Sequence, residues 1–415
     1  MVFFLCLNLN DYICFLNYSH KISMKIMSKD VNPKNCLEIE QMSDKRKLAI
    51  IGASYLQQPL VEKAKEMGLY TICFAWADGA VCANVADKFY PISIVEKEKI
   101  LSICKEEQID GICTIASDVA APTVAYIAEK LGLVGNSYVA ACKANNKYEM
   151  RRVFMEAGVP CPRFKMVQFQ DGIEYIDLDS PLIVKPVDRS GSLGVAKINS
   201  KEELGIAVKK ALEFSFCKQA IVEEYIEGRE ISVEFISYKG KHYPLQITDK
   251  VTTEAPHFVE LEHHQPADLS PQMYEKVYAL TDKALTALGL TNGASHSEYR
   301  ITDDGRIFVM EIGGRMGGDF IGSDLVKLST GYDFLQAVID VALGSFTEPK
   351  FICKKYAGVY FLCKETERLL PIMQKNEREK DIVNLEITNS DLKNVTCSAD
   401  RSGFVIYQST KKVIL

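Results

Sequence analysis

Two glutamates carry the strongest chemical signal in this chain. The segment His296-Ser-Glu-Tyr-Arg-Ile-Thr-Asp-Asp-Gly-Arg-Ile-Phe-Val-Met-Glu311 sets Asp304-Gly305 between two apolar runs, the short-range signature of a two-residue β-hairpin turn. A turn at those two residues makes Glu298 and Glu311 direct opposites on one face of the hairpin. Carboxylates facing each other across a ladder repel unless something compensates them. A hard divalent cation does so, and Mg²⁺ held by one or two carboxylates usually completes its shell with water and phosphate oxygens. A solvated acidic pair on an exposed face is the plainer alternative. The run Gly313-Gly-Arg-Met-Gly-Gly318 that follows at once favours the metal.

Lysine is the second signal. In Leu182-Ile-Val-Lys185-Pro186 a lysine stands within an apolar strand, where an ammonium has to snorkel to water or meet an anion. The loop behind it, Asp188-Arg-Ser190-Gly191-Ser192-Leu-Gly194-Val195, offers N–H and O–H groups that can wrap phosphate oxygens. Lys147, in Asn145-Asn-Lys-Tyr, is a weaker candidate, since such a lysine is more often a surface helix charge. A third stretch, Ile221-Val-Glu223-Glu224-Tyr225-Ile226-Glu-Gly228-Arg-Glu230, reads as strand, glycine break, strand. Backbone exposed there could bind an adenine edge, and Glu230 could accept from ribose hydroxyls. Composition alone prefers an ordinary acidic hairpin.

The elements that must position these groups follow from the hydropathy pattern. From Leu48 onward, strands are expected at 48–53, 69–75 and 110–115, alternating with helices at 58–67, 97–107 and 119–131. That alternation implies a mostly parallel sheet with helices on both faces. Gly52-Ala-Ser54 lacks a full G-x-G-x-x-G, so a tight strand-to-helix turn is the plainer reading than a phosphate site. Ligands nevertheless lie at the carboxyl ends of such strands, which makes Ser54, Ser117 and Asp118 candidates for a substrate side. A second unit is expected from helix 147–157 through strands at 181–187, 220–226 and 230–237, with a helix at 201–214. A long connection over 238–270, a helix at 271–288, the hairpin and a helix at 334–343 complete it. A last stretch has strands at 357–363 and 403–408.

Bulk properties narrow the class. A chain of 415 residues exceeds one ordinary core, so two to four packed units are expected. A formal charge of −6 without single-sign blocks gives no electrostatic reason to invoke nucleic acid or an anionic membrane. Thirteen cysteines with no C-x-x-C pair, several in apolar runs, point to reduced thiols in a cytoplasmic setting and away from structural zinc. The first forty or so residues differ from the rest: a short apolar run lacking a basic n-region, then a polar, aperiodic stretch. Residues 1–45 are expected to be a poorly ordered leader, with the functional chain starting near Met42; a cryptic membrane anchor is the weaker alternative.

Taken together, Lys147, the Val-Lys185-Pro strand, the Ser-Gly-Ser-Leu-Gly loop, Val-Glu-Glu-Tyr-Ile-Glu-Gly-Arg-Glu230 and the pair Glu298…Glu311 resemble the ATP-grasp superfamily in order and spacing over roughly 46–410. The resemblance implies an α/β fold with α+β lobes, an ATP-grasp domain preceded by a parallel-sheet pre-ATP-grasp domain. Its expected boundaries are 46–142, then 143–345 with a lid at about 181–222, then a small β-containing subdomain at 346–415. It implies that Lys147 and Lys185 contact ATP phosphates. The loop carrying Ser190, Gly191, Ser192 and Gly194 becomes the phosphate flap, and Glu223, Glu224, Tyr225 and Ile226 hold adenine largely through backbone. Glu230 takes ribose, and Glu298 and Glu311 take Mg²⁺, or Mn²⁺ in its place.

Within the superfamily, Phe258-Val-Glu260-Leu-Glu-His263-His264-Gln-Pro and Glu311-Ile-Gly-Gly-Arg315-Met-Gly-Gly318 resemble the bacterial L-amino-acid (dipeptide) ligases. Glu260, His263, Arg315 and Gly318 then belong to the substrate side. Arg315 would hold carboxylate and phosphate through its planar fork. For His263 a satisfied structural histidine is an equal alternative. One position departs from the pattern: where many members have asparagine two residues after the second metal glutamate, this chain has Gly313, which puts a second magnesium's coordination in doubt. The activity implied is ATP-dependent carboxylate–amine ligation through an acyl phosphate, with Lys185 and Arg315 as the catalytic pair. Small-molecule carboxylate and amine are the partners, and a homodimer is the ordinary expectation. A purine-biosynthesis or carboxylase-type ATP-grasp enzyme is one alternative, though no Met-Lys-Met biotin-carrier motif occurs. A nucleotide-binding regulatory protein without catalysis is the other.

Overall fold

The computed structural model describes residues 13–18, 21–26, 45–168, 176–191, 193–253, 255, 257–375 and 380–415. Strands β1 (Ile13–Tyr18) and β2 (Lys21–Ile26) pair antiparallel, in a unit distinct from Lys47–Leu415. The expectation of a poorly ordered leader falls otherwise outside the described residues.

The second unit begins with four parallel strands, β3 (Lys47–Ile51), β4 (Tyr70–Ala75), β5 (Lys88–Pro91) and β6 (Gly111–Cys113), ordered β5-β4-β3-β6. Leu48, Ala49, Ile50 and Ile51 are all fully buried, as a strand covered on both faces requires. The helices Gln58–Glu66, Lys97–Glu107 and Ala121–Leu131 supply that cover. Strand β5 was not legible in the pattern because Lys-Phe-Tyr-Pro is short, half-exposed and ends in proline, which suits an edge.

Four antiparallel strands make a second sheet, ordered β7-β10-β8-β9: β7 (Phe164–Gln168), β8 (Leu182–Pro186), β9 (Ala196–Ile198) and β10 (Gln219–Glu224). The helix Leu204–Phe214 packs Leu204, Ala207, Val208 and Ala211 on it.

The third sheet has eight antiparallel strands. In chain order these are β11 (Arg229–Tyr238), β12 (Lys241–Thr252), β13 (Glu260–Gln265), β14 (Gly293–Ile301), β15 (Ile307–Gly313), β16 (Tyr356–Leu362), β17 (Ile382–Ile387) and β18 (Gly403–Ser409). Their spatial order is β15-β14-β11-β12-β13-β16-β18-β17, so the last stretch of chain extends the same sheet through β13 and β16. The helix Pro271–Leu288, capped by Ser270, closes one face over Ile231, Val233, Phe235 and Tyr299. The expected long connection over 238–270 is corrected here: it holds β12 and β13. Pro244 and interspersed polar residues hide the alternation of β12. Proline is tolerated because the β11–β12 ladder shifts register there, Glu234 pairing with Gln246 and Phe235 with Pro244. Among the described residues no helix is long and apolar enough to cross a membrane.

Candidate active site

Glu298 on β14 lies directly opposite Glu311 on β15. The route to that pairing differs from the two-residue turn expected. The Thr302 N–H donates to the Arg306 carbonyl at 3.0 Å, leaving a three-residue loop, Asp303-Asp304-Gly305, with Gly305 at φ +81°. That shape is a common hairpin alternative. The extra loop residue is cancelled by an irregularity in β15: Tyr299 pairs with Val309 and Glu298 with Glu311, so Met310 is unpaired. A bulge of this kind re-aims side chains, and here both Met310 and Glu311 line one cleft, where regular alternation would send them to opposite faces. The freed Met310 carbonyl accepts from Arg151 Nη2 at 2.6 Å.

Each carboxylate is met by an ammonium. Lys147 Nζ stands 2.7 Å from Glu311 Oε1, and Lys250 Nζ stands 2.6 Å from Glu298 Oε1. Lys147 is fixed as the first residue of the helix Lys147–Ala157, whose Asn146 cap accepts from the Tyr148 and Glu149 N–H groups. One turn later Arg151 points the same way, wholly buried, with Nε 2.6 Å from Glu223 Oε1. Lys185 on β8 reaches Glu223 Oε2 at 2.6 Å. These last two approaches lie off the hydrogen-bond axes, so the attraction is chiefly Coulombic. Burial pulls Lys185 below the usual lysine range, and Arg151 and Lys147 act in the same sense against Glu223.

Lys250 on β12 is the hub. Besides Glu298 it meets Glu230 at 3.0 Å and Glu260 at 3.6 Å. Burial alone would lower it, but Glu298, Glu230 and Glu260 outweigh burial and hold it well above the ordinary value. Glu298, pushed up by burial, is brought well below the carboxylate range by Lys250 and His296. His296 is clamped by Glu234, which raises it to about 9 against the opposing effect of burial.

The groups around this pair line an open cleft of about 1130 Å³. Lys147, Lys185, Ser190, Gly191, Tyr225, Ile226, Glu230, Glu260, Glu298, Glu311 and Arg315 all face it, as the sequence reading grouped them. Ile183, Val195 and Met310 make its apolar part, suited to a flat aromatic ring beside polar partners. A second compartment of about 1040 Å³ shares Glu260, Glu298, Lys250 and Arg315 with the first and adds His263 and Gly318. His263 is 1% exposed, and its Nδ1 has no partner among the described residues. Burial, followed by Lys250 and Arg401, holds it well below the usual histidine value, hence neutral. Three lining residues, Ala116 (φ +56°), Phe258 (φ +51°) and Asp319 (φ +49°), have left-handed backbone without being glycine. Such strain persists where surrounding structure imposes it and collects at functional sites.

Arg315 grips Asp118 with two hydrogen bonds, of 2.8 and 2.6 Å. Asp118 thus reaches from the end of the parallel sheet to the cleft. Gly313 has a steric reason: a Cβ there would overlap the Asp118 carboxylate and crowd Arg315.

Some residues expected in the site lie outside the cleft lining. Glu223 sits in the central strand of its sheet, paired with both Phe164 and Ile183, and does not line the cleft. It anchors Arg151 and Lys185. Glu224 turns to Arg163, at 2.9 Å. Of the four residues expected on the adenine side, Tyr225 and Ile226 line the cleft. Gly194 packs on Phe214 and Pro186 outside the cleft lining, and Ser192 lies outside the described residues. Ser54 bonds to Gln57 within its own turn, as the plainer reading had it. Lys250, His296, Arg300 and Arg401 were missed. Each is paired to an acid from a distant part of the chain, a relation that no local spacing encodes.

Known proteins can be set beside this geometry. A family model described as the ATP-grasp domain matches residues 178–324. Alanine–anticapsin ligase of Bacillus subtilis (strain 168) is 29% identical over 272 residues, 59% of this chain and 56% of that protein. D-alanine–D-alanine ligase of Cupriavidus necator is 25% identical over 218 residues, 50% of this chain and 65% of that protein. The chain thus matches little more than half the length of the first of these. Among solved structures, L-amino acid ligase from Bacillus licheniformis aligns with a TM-score of 0.75 at 24% identity, covering 88% of this chain and 94% of that one. Phosphoribosylglycinamide synthetase from Anaerococcus prevotii gives 0.70 at 24% identity, covering 89% and 95%. These two likenesses establish the fold.

Proposed function

From the premise that the chain belongs to the ATP-grasp proteins through residues 178–324, we propose that it is an ATP-dependent carboxylate–amine ligase acting on an amino acid. The observation that carries this reading is the side-by-side pair Glu298 and Glu311, in one cleft with Lys147 and Lys185 and joined to a second compartment through Arg315. The likeness to alanine–anticapsin ligase supports an amino-acid substrate over a purine precursor.

A carboxylate does not acylate an amine in water because oxide is too poor a leaving group. In the proposed reaction a substrate carboxylate oxygen attacks the γ-phosphorus of ATP, the bond to the ADP oxygen breaks, and an acyl phosphate forms. The amine nitrogen then bonds to the acyl carbon, phosphate leaves with the C–O electrons, and nitrogen gives up its proton. Such transfers ask chiefly for alignment and charge neutralisation. Lys147 and Lys185, which line the first compartment, would meet the phosphates, and Arg315 lines both compartments. Glu298 and Glu311 would hold magnesium, or manganese, which accepts the same oxygen donors. Both carboxylates are already met by ammonium groups at 2.6 and 2.7 Å, so positive charge is what their position demands. When bound, the metal neutralises phosphoryl oxygens.

The test is ADP release from ATP and Mg²⁺ with pooled amino acids, the products read by mass spectrometry. Amide formation is expected, with none from Glu311→Gln. Substrate-dependent turnover retained in that variant would overturn the role given to the pair, and no ADP release across the pool would favour a binding protein.

A further inference from the structure

The cations of the cleft are nearly all spoken for. Lys147 is paired with Glu311, Lys185 with Glu223, Lys250 with Glu298, Arg300 with Glu230 and Arg315 with Asp118. Arg189 also lines the cleft, and among the described residues it has no carboxylate partner. Its guanidinium instead lies over the ring of Phe216, 4.3 Å from the centroid. The neighbouring Asp188 cannot serve it, because that carboxylate accepts from the backbone N–H groups of Phe216 and Cys217 at 3.2 and 2.8 Å.

This arrangement suits an anion. Stacking uses the faces of a guanidinium and leaves its in-plane N–H donors free. An aromatic platform also removes rotamer freedom before a ligand arrives, so less is lost on binding. The position is specific as well: the Arg189 carbonyl accepts from Lys147 Nζ at 2.7 Å, the same nitrogen that meets Glu311. The Arg189 backbone therefore lies beside Lys147 and Glu311, at the carboxylate-pair end of the cleft that the residue lines.

We propose that Arg189 binds the terminal phosphoryl group of the nucleoside triphosphate, with Phe216 as the residue that positions it. The proposal rests on the ATP-using function given above. Magnesium-bound triphosphate keeps net negative charge, and Arg189 supplies positive charge that no protein carboxylate has already neutralised. A diphosphate lacks the group that Arg189 would meet.

Calorimetric titration of wild type, Arg189→Gln and Phe216→Leu with ADP and with a non-hydrolysable ATP analogue, each with Mg²⁺, tests this. Arg189→Gln should lose roughly tenfold in affinity for the analogue, the size of a charge-assisted hydrogen bond, and at most about twofold for ADP. Phe216→Leu should lose affinity for the analogue selectively, by a smaller factor. Equal losses for both nucleotides in Arg189→Gln, or none for either, would overturn the proposal, and an unchanged Phe216→Leu would overturn the platform. Unaltered melting of both variants without ligand shows that neither effect is unfolding. Wild type binding neither nucleotide would overturn the ATP-using reading itself.

Discussion

Lys250 shows what a single residue can do when three strands converge on it. The residue is buried, and its ammonium lies among Glu298, Glu230 and Glu260. Nothing in Thr-Asp-Lys-Val-Thr announces this, because the pattern there is that of a polar surface strand and the partners come from β11, β13 and β14. Glu298 and Glu311 were legible in sequence only because a hairpin is local. Breaking a buried ion pair by removing one partner typically costs about 3–5 kcal/mol, so Lys250→Met should be strongly destabilised in urea melts. A divalent cation on Glu298 would substitute for the lost charge. Magnesium is therefore expected to raise the melting temperature of Lys250→Met by more than it raises that of wild type; equal shifts would separate the metal from Glu298. His263 carries a second prediction. Folded, it is neutral with a value well below 6.5, whereas unfolded it titrates near 6.5. The unfolded chain thus binds the extra proton, so the His263 contribution is constant above about pH 6.5 and erodes below it, by up to about 1.4 kcal/mol per pH unit. Stability of His263→Asn should fall less steeply between pH 6.5 and 5 than that of wild type. Parallel curves would mean that His263 does not stay neutral in the fold.

At the scale of elements, the hairpin holds its glutamates in register by two compensating irregularities. The sequence signal at Asp304-Gly305 located the turn and led to the right partner for Glu298. It gave the loop one residue too few and offered no hint of the bulge, since a bulge is set by what the strand packs against: the Met310 carbonyl is freed for buried Arg151. The two irregularities should respond differently to deletion. Removing Asp303 leaves a two-residue Asp304-Gly305 loop, a favoured hairpin type, with Ile301 still opposite Ile307; little change in melting or in ADP formation is expected. Removing Met310 places Glu311 directly after Val309 and still opposite Glu298, so the pairing is kept and what is lost is the carbonyl that accepts from buried Arg151. That variant should be destabilised in urea melts by about 1.5–3 kcal/mol, the size of a hydrogen bond to a charged group, with ADP formation retained. An unchanged urea midpoint without Met310 would show that Arg151 does not depend on the bulge. The four-stranded antiparallel sheet and the parallel sheet were easier to read, because Leu48-Ala-Ile-Ile and Leu182-Ile-Val are continuous apolar runs buried by their own helices. Strands β12 and β13 were not, since their inward residues include Thr248, Asp249, His263, His264 and Gln265, all buried and mostly satisfied by one another or by Ser329 and Tyr407.

At the scale of the molecule, a backbone bridge and an ion pair join the end of the parallel sheet to the large antiparallel sheet at the cleft. Ile115 bridges Met316, the Ala116 N–H donates to the Met316 carbonyl at 3.1 Å, and Asp118 holds Arg315. Gly313 lies under that ion pair, in the place where the sequence reading noted a missing asparagine. The gap is filled in space: the Asp118 carboxylate occupies the volume that any side chain at 313 would need. Burial pushes Asp118 up, but Arg315 and then Lys147 bring it below the usual aspartate value, so a negative group from the first sheet stands where a neutral amide would otherwise be. The backbone of Gly313 is not left-handed, so alanine there brings no conformational strain and probes space alone. Gly313→Ala should destabilise wild type by about 1–3 kcal/mol, the ordinary range for overpacking. In an Asp118→Ala background the obstructing carboxylate is gone, and the same substitution should cost at least about 0.5 kcal/mol less, the floor for residues in contact. Urea melts of the four proteins close that cycle. Additive costs would mean that Asp118 yields freely, and then neither the glycine nor the ion pair above it fixes how the two sheets are joined at the cleft.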